Sequence, residues 1–343
     1  MKTAVFYGKH DIRVEKRPVR EPGPEEICIR VKACGICGTD MHIFEGDKGA
    51  ADCTPPTILG HEFSGVVEQV GSMVTDFVPG DRVCIDPNCT CGGCSYCNSG
   101  LAHFCTHMTG TGTTADGGFA QFCTVNRKQV YRLADSVSFE EGAMAEPLSC
   151  CLHGIDLCEL RPGSTVVVIG GGMIGLLMLQ LARISGAARV ILSEPVAQKR
   201  EIGKKLGADL CLDPNEGTLC AMLKSHGIDR ADAVIECVGK PATIEQAIEA
   251  AGKRSVVMLF GLTKPDAEVP VKPFTLFEKE VVLKASYINP YTMPRAVELI
   301  NSGRIDVHSM VQPVQPLEQL GSILSDAQLR TGGKFIISPW LEA

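Results

Sequence analysis

The sequence predicts an α/β fold: a doubly wound parallel sheet joined to a separate β-rich domain, within 343 residues. Three observations lead there. The length exceeds one ordinary domain and suits about two. Residues 1–150 are rich in Gly, Pro and β-branched residues, with short alternating runs such as ICIRV at 27–31 and SGVVEQV at 64–70. From Arg161 the texture changes, and apolar runs begin to alternate with helical stretches.

The first segment reads as a β-rich domain with many turns, because alternation over a few residues between Gly and Pro clusters is the pattern of half-buried strands. In the second, apolar runs at 165–169, 189–193, 233–237 and 256–260 are separated by helical stretches at 173–185, 196–206, 216–225 and 241–251. That rhythm implies right-handed βαβ units and a buried parallel sheet. After about residue 285 a helical stretch, 292–302, and short strands return. The expected organisation is a discontinuous β-rich domain, 1–150 with 286–343, around an inserted α/β domain at 151–285.

Composition narrows the function classes. Hydrophobic residues make up 45%, enough for large cores, and the net charge is −7 without a basic block, which argues against nucleic-acid binding. The chain opens MKTAVFY, a short strand-like run rather than a leader. Residues 164–182, STVVVIGGGMIGLLMLQLA, are long and apolar but broken by three consecutive glycines, so no membrane span is expected. Seventeen cysteines without a leader point to a reducing, cytoplasmic setting.

Residues 166–175, VVVIGGGMIG, contain G-x-G-x-x-G at Gly170, Gly172 and Gly175, after an apolar strand and at the start of a helix. In that context the motif is a Rossmann dinucleotide fingerprint. Gly170 makes the turn, Gly172 admits a pyrophosphate and Gly175 lets helix and strand pack closely. The free amides at Met173 and Ile174 and the helix dipole favour the anion. Glu194 ends the next strand and can accept from ribose hydroxyls; its charge opposes a 2′-phosphate, so NAD is expected. Lys199, just over one helical turn further, could offset part of that repulsion. Val238, just past the strand 233–237, is expected at the same site.

Residues 91–105, CGGCSYCNSGLAHFC, place Cys91, Cys94, Cys97 and Cys105 at C-x2-C-x2-C-x7-C, with Cys89 just outside. Four thiolates at that spacing can close a tetrahedron round a structural zinc. His103 and His107 flank Cys105, but four cysteines already fill such a site.

Upstream, residues 34–42 read CGICGTDMH, and 60–74, GHEFSGVVEQVGSMV, fit G-H-E-x2-G-x5-G-x2-V. With the cysteine knuckle and GAMAEPLSCC at 142–151, these motifs resemble the zinc-dependent medium-chain alcohol dehydrogenases, in particular the sorbitol and polyol branch. The resemblance covers nearly the whole chain. It implies a GroES-like catalytic domain, a Rossmann coenzyme domain and two zinc ions per chain, one catalytic and one structural. It places Cys37 and His61 on the catalytic zinc, with Glu146 where simple alcohol dehydrogenases carry a second cysteine. Either Glu62 or Glu146 would be the third ligand, and the two are able to exchange. A carboxylate in place of a thiolate makes a harder, more labile site. Cys34 is read as a packing thiol. Thr39 is implied to take the substrate proton and His42 to pass it on, through the nicotinamide ribose, to solvent.

The implied reaction is oxidation of a secondary alcohol of a pentitol or hexitol to the ketose, with NAD as hydride acceptor. L-threonine 3-dehydrogenase and 2,3-butanediol dehydrogenase are the neighbouring alternatives. A non-catalytic zinc scaffold would use Cys91–Cys105 alone and would not explain the glycine motif. The run SYINPY at 286–291 resembles the corresponding segment of sugar-alcohol dehydrogenases, with Ser286 where the sorbitol enzymes have arginine. Tyr287 and Asn289 are the expected outer hydroxyl contacts. Phe119 is either an aromatic wall of the pocket or a core residue. The expected partners are a small polyol and further copies of the chain, as a dimer or tetramer.

Overall fold

The computed structural model describes residues 1–47, 52–326 and 333–342. They form two compact units, Met1–Pro147 with Met293–Ala343, and Leu148–Thr292.

The first unit is built round one long strand, Glu26–Gly35. Ile27, Ile29 and Val31 alternate along it and are fully buried, as expected of a strand whose one face lies on a core. It pairs antiparallel with Glu62–Val70, with Phe122–Asn126 and with Ile336–Ser338. Phe63, Val67, Phe119, Leu317, Leu320 and Ile337 complete the core beneath it. The last of these pairings brings the C-terminal strand beside the first residues of the metal motif, with Ile337 opposite Cys34 and Ile336 opposite Gly35.

The second unit is a six-stranded, wholly parallel sheet. Its strands are, in chain order, Thr165–Ile169, Arg189–Ser193, Leu210–Leu212, Ala233–Glu236, Val256–Leu259 and Val282–Ala285. Across the sheet the order is third, second, first, fourth, fifth, sixth. This is the doubly wound dinucleotide-binding arrangement, with its strand order reversing at the first strand. Four strands follow the apolar runs. The third and the sixth have no such run: one has three residues, and the other is mostly exposed at the sheet edge.

The four helical stretches between the strands are observed as Met173–Ile184, Ala197–Lys205, Leu219–Ser225 and Pro241–Ala250. The third begins later than the apolar pattern suggests because Thr218 caps it, its hydroxyl accepting from the Ala221 amide at 3.3 Å. Pro241 starts the fourth, where a missing N–H costs nothing. The helical stretch 292–302 is observed as Met293–Asn301 and belongs to the first unit. Among the described residues no helix is long and apolar enough to cross a membrane.

The glycine motif fixes how strand and helix meet. Gly170 has a left-handed φ of 101°, which only glycine adopts freely. A Cβ on Gly175 would overlap the Gly170 carbonyl oxygen. A Gly175→Ala substitution should therefore push the helix off the sheet, cost about 1–3 kcal/mol of stability, and weaken dinucleotide binding. Urea unfolding and a cofactor titration of the same variant check both expectations.

Candidate active site

The short helix Gly38–Phe44 organises the upstream metal motif. Cys37 is its N-cap, and Asp40, three residues on, accepts from the Cys37 amide at 2.8 Å. Asp40 is fully buried, accepts from the Gly60 amide at 3.3 Å and lies 3.7 Å from His61 Nδ1. One carboxylate thus ties the Cys37 turn to the Gly60–His61 turn. At 3.7 Å the acid acts on His61 by its charge, and an acid behind a histidine of a metal cluster favours one ring orientation and raises its basicity. Nothing in the CGICGTDMH pattern singled out Asp40. The signal was there in its spacing, because an acid at the third helical position is a capping residue.

His61 and Glu62 are buried, and Cys37 is half-buried. One ligand atom from each of Cys37, His61 and Glu62 lies within 4.8 Å of the others. A sulfur, a nitrogen and a carboxylate oxygen at that separation suit a zinc ion with a position left open for substrate. Glu146 stands outside that trio, in the first turn of the helix Ala145–Leu157. It is close enough for its charge to be felt: burial pushes its carboxyl up to about 7, with His61 pulling it down and Glu62 pushing it further up. Burial opposes protonation of His61, but Cys37 and Asp40 outweigh it and raise its proton affinity well above the ordinary value. Cys34 is fully buried, and burial holds its thiol well above the usual range, as an inert packing residue requires.

Glu62 has a partner that the motifs did not reveal. Lys334 is 3% exposed and forms an ion pair with Glu62, which is 1% exposed. Thr39 and His42 lie on one face of the helix Gly38–Phe44, half-buried, with His42 Nδ1 3.7 Å from Asp47.

The four-cysteine cluster is equally compact. The sulfurs of Cys91, Cys94, Cys97 and Cys105 all lie within 4.8 Å of one another. The Cys94–Cys97 and Cys91–Cys105 separations are 3.5 Å, too long for a disulfide and near the ~3.8 Å edge of a zinc–thiolate tetrahedron. The Cys91 and His107 amides point at the Cys105 sulfur at 3.3 and 3.4 Å. Backbone donors from Cys97 and Thr106 lower the Cys94 thiol to about 5. Burial pushes the Cys97 thiol the other way, to about 11, and four sulfurs this close together fit a closed zinc site. Cys89 lies outside it, in a short strand with Asn88.

In the second unit Gly172 caps the helix Met173–Ile184, and nothing lies within 4 Å of where its Cβ would be. The glycine loop is thus open where Met173 and Ile174 present their amides. Val238 packs against Gly170 on the other side. Glu194 is buried at the end of the second strand and accepts from the Gly171 amide at 2.6 Å and the Val196 amide at 2.8 Å. Each carboxylate oxygen keeps further acceptor capacity. Lys199 is half-buried on the following helix. Its neighbour Arg200 donates to the Glu194 and Pro195 carbonyls at 2.7 Å and pairs with Asp213 at 3.0 Å. Sequence reasoning passed over Arg200.

Two of the expected substrate contacts are placed differently. Phe119 is fully buried in the hydrophobic core of the first unit. Asn289 is 2% exposed, and its amide donates to Ser149 Oγ at 2.8 Å. It braces its loop rather than standing open as an outer contact. Tyr287 is 41% exposed, next to Ile288, whose φ of 44° is unusual for a β-branched residue.

A parallel-sheet dinucleotide fold and a mixed S/N/O metal cluster define a metal-dependent dehydrogenase. Residues 23–135 match the alcohol dehydrogenase GroES-like domain, and 174–302 match the zinc-binding dehydrogenase family. The chain is 32% identical to the sorbitol dehydrogenase of Bacillus subtilis (strain 168) over 93% of its length and 91% of that protein. It is 31% identical to D-arabinitol dehydrogenase 1 of Uromyces fabae, over 98% and 97%. A zinc-binding dehydrogenase of Sinorhizobium meliloti 1021, solved bound to NADP, superposes with a TM-score of 0.95 at 36% identity, covering 98% of this chain and 99% of that one. The chain belongs to the zinc-dependent medium-chain alcohol dehydrogenase family, in its sorbitol dehydrogenase-like branch.

Asp40→Asn keeps the size of the side chain but loses one acceptor. A zinc ion loaded at the Cys37–His61–Glu62 cluster should dissociate about 10–100 times more readily, while one loaded at the four-cysteine cluster should not be affected. Metal analysis after timed dialysis against a chelator measures it.

Proposed function

We propose that the protein oxidises a secondary hydroxyl of a sugar alcohol, a pentitol or hexitol, to the ketose, with NAD as hydride acceptor. The observation that carries this is the donor set: Cys37, His61 and Glu62 converge with a second carboxylate, Glu146, close by, and among the described residues no second cysteine joins the cluster. A carboxylate-rich centre can satisfy more than one substrate hydroxyl, which an apolar alcohol pocket would strand. The relatives named for sorbitol and D-arabinitol support the same reading.

Two zinc ions are assigned to the chain. Cys91, Cys94, Cys97 and Cys105 would hold the structural one. Cys37 and His61, with Glu62 or Glu146, would hold the catalytic one, which when bound supplies Lewis-acid polarisation of the substrate oxygen. The rest falls to side chains. Thr39 accepts the hydroxyl proton and His42 carries it towards solvent, an assignment supported by their shared helix face. Asp40 orients Cys37 and His61 throughout. The nicotinamide supplies the hydride chemistry, while Gly170, Gly172, Met173, Ile174, Gly175 and Val238 frame the dinucleotide. A homo-oligomer in the cytoplasm is the proposed working form. Support for association lies in Phe274 and Phe277, 73% and 80% exposed beside the exposed edge strand Val282–Ala285.

The deciding experiment compares initial rates of NADH formation with arabinitol, xylitol, sorbitol, 2,3-butanediol, threonine and ethanol. A pentitol or hexitol should give the highest kcat/KM. Ethanol winning would refute the polyol reading, and threonine winning would move the protein to the neighbouring branch.

Glu194 supports NAD, since its carboxylate stands where a 2′-phosphate would be repelled. The NADP-bound relative makes the charge worth testing. Glu194→Ala should raise kcat/KM for NADP relative to NAD; an unchanged ratio would remove Glu194 from that role.

A further inference from the structure

Among the described residues, Lys334 is the buried cation at the metal centre, and no motif accounts for it. Its backbone is fixed on both sides. The Lys334 amide donates to the Met310 carbonyl at 2.8 Å, and its carbonyl accepts from the Gln312 amide at 2.9 Å. Next along the chain, the Phe335 carbonyl accepts from the Ile36 amide at 2.9 Å. From there the strand Ile336–Ser338 runs beside the Gly35 end of Glu26–Gly35, which at that end also pairs with the strand starting at Glu62. Gly35 lies opposite both Glu62 and Ile336. A Cβ on Gly35 would overlap Glu62 Oε2 and the Lys334 stem. The missing side chain is what lets the ammonium reach across to the carboxylate.

The pair is an expensive feature to bury. Two charges this far from water each cost several kcal/mol, and such pairs often add little stability. A second role would account for its presence. Glu62 is also one of the three groups whose donor atoms converge on the metal position. An ammonium and a metal ion therefore face the same carboxylate.

We infer that Lys334 is a positioning residue of the metal centre: its ammonium restrains Glu62 and weakens that carboxylate as a metal ligand, keeping a coordination position free. This rests on the reading of Cys37, His61 and Glu62 as the catalytic metal site. Removing the cation has two effects of the same sign. Glu62 becomes free to bind the metal fully, and a positive charge leaves the neighbourhood of a dication. Both tighten metal binding, and the first closes the site to substrate.

The test uses the zinc-loaded protein and its Lys334→Met, Lys334→Arg and Glu62→Gln variants. Zinc transfer to a chromogenic chelator is followed with time, and the visible spectrum is recorded after cobalt replaces the zinc. Lys334→Met should release the more labile zinc about tenfold more slowly than the parent. Its cobalt bands should change, its kcat should fall, and the four-cysteine zinc should be released as before. Lys334→Arg should behave like the parent. In a Glu62→Gln background, Lys334→Met should slow release much less, because only the loss of the positive charge remains and the larger effect acts through Glu62. If the methionine variant does not accumulate as folded protein, Lys334→Gln, which keeps a donor without the charge, should slow release to an intermediate degree. Unchanged or faster release, or the same slowing with Glu62→Gln present, would overturn the inference. A parent that holds only the four-cysteine zinc would instead overturn the site reading beneath it.

Discussion

Buried charge is the constraint on which the first unit depends. Asp40, Glu62 and Lys334 are each under 4% exposed, and His61 and Glu146 are each 7% exposed. Each would cost several kcal/mol if left alone, so the chain must bring partners to them. Asp40 is met by the amides of Cys37 and Gly60, and Glu62 by Lys334. The second pairing requires the C-terminal strand to return to Glu26–Gly35, and Gly35 to leave room above it. The strand pairing that closes this discontinuous unit therefore also completes its cluster of buried charges.

The second unit handles buried acids differently. Glu194 and Glu236 end the second and fourth strands of the parallel sheet and are 5% and 0% exposed. Glu194 accepts from the Gly171 and Val196 amides, and Glu236 from the Val238 and Gly239 amides and the Thr243 hydroxyl. Carboxylates that accept several backbone bonds hold their loops firmly. The loops they hold lie at the carboxyl ends of the strands, where open α/β sheets bind ligands. A substitution at either acid would therefore act on loop order as well as on charge.

The two clusters that could hold a metal differ in donor chemistry. Four soft thiolates with amide hydrogen bonds to sulfur close a site and pin a loop. The mixed cluster at Cys37, His61 and Glu62 has fewer donors, and it sits among acids and one base that tune it. A closed thiolate set suits structural stability and an open mixed set suits reactivity.

Much of this was legible from residue order. The glycine fingerprint, the C-x2-C-x2-C-x7-C knuckle and the G-H-E run are local patterns, and each constrains only a few neighbouring residues. The parallel sheet followed from the spacing of apolar runs, apart from its short third strand and its exposed sixth. Asp40 could have been found from its capping position. Lys334 could not, because its meaning comes from a strand pairing between distant parts of the chain. Nor could the states of Phe119 and Asn289, where the pattern of residue types is the same for a buried brace and an exposed contact. By itself the sequence determined which donors and glycines the protein possesses, since those are properties of single residues and short spacings. Only the tertiary structure decided which buried charges face each other, because a charge out of water is defined by whatever the fold sets beside it.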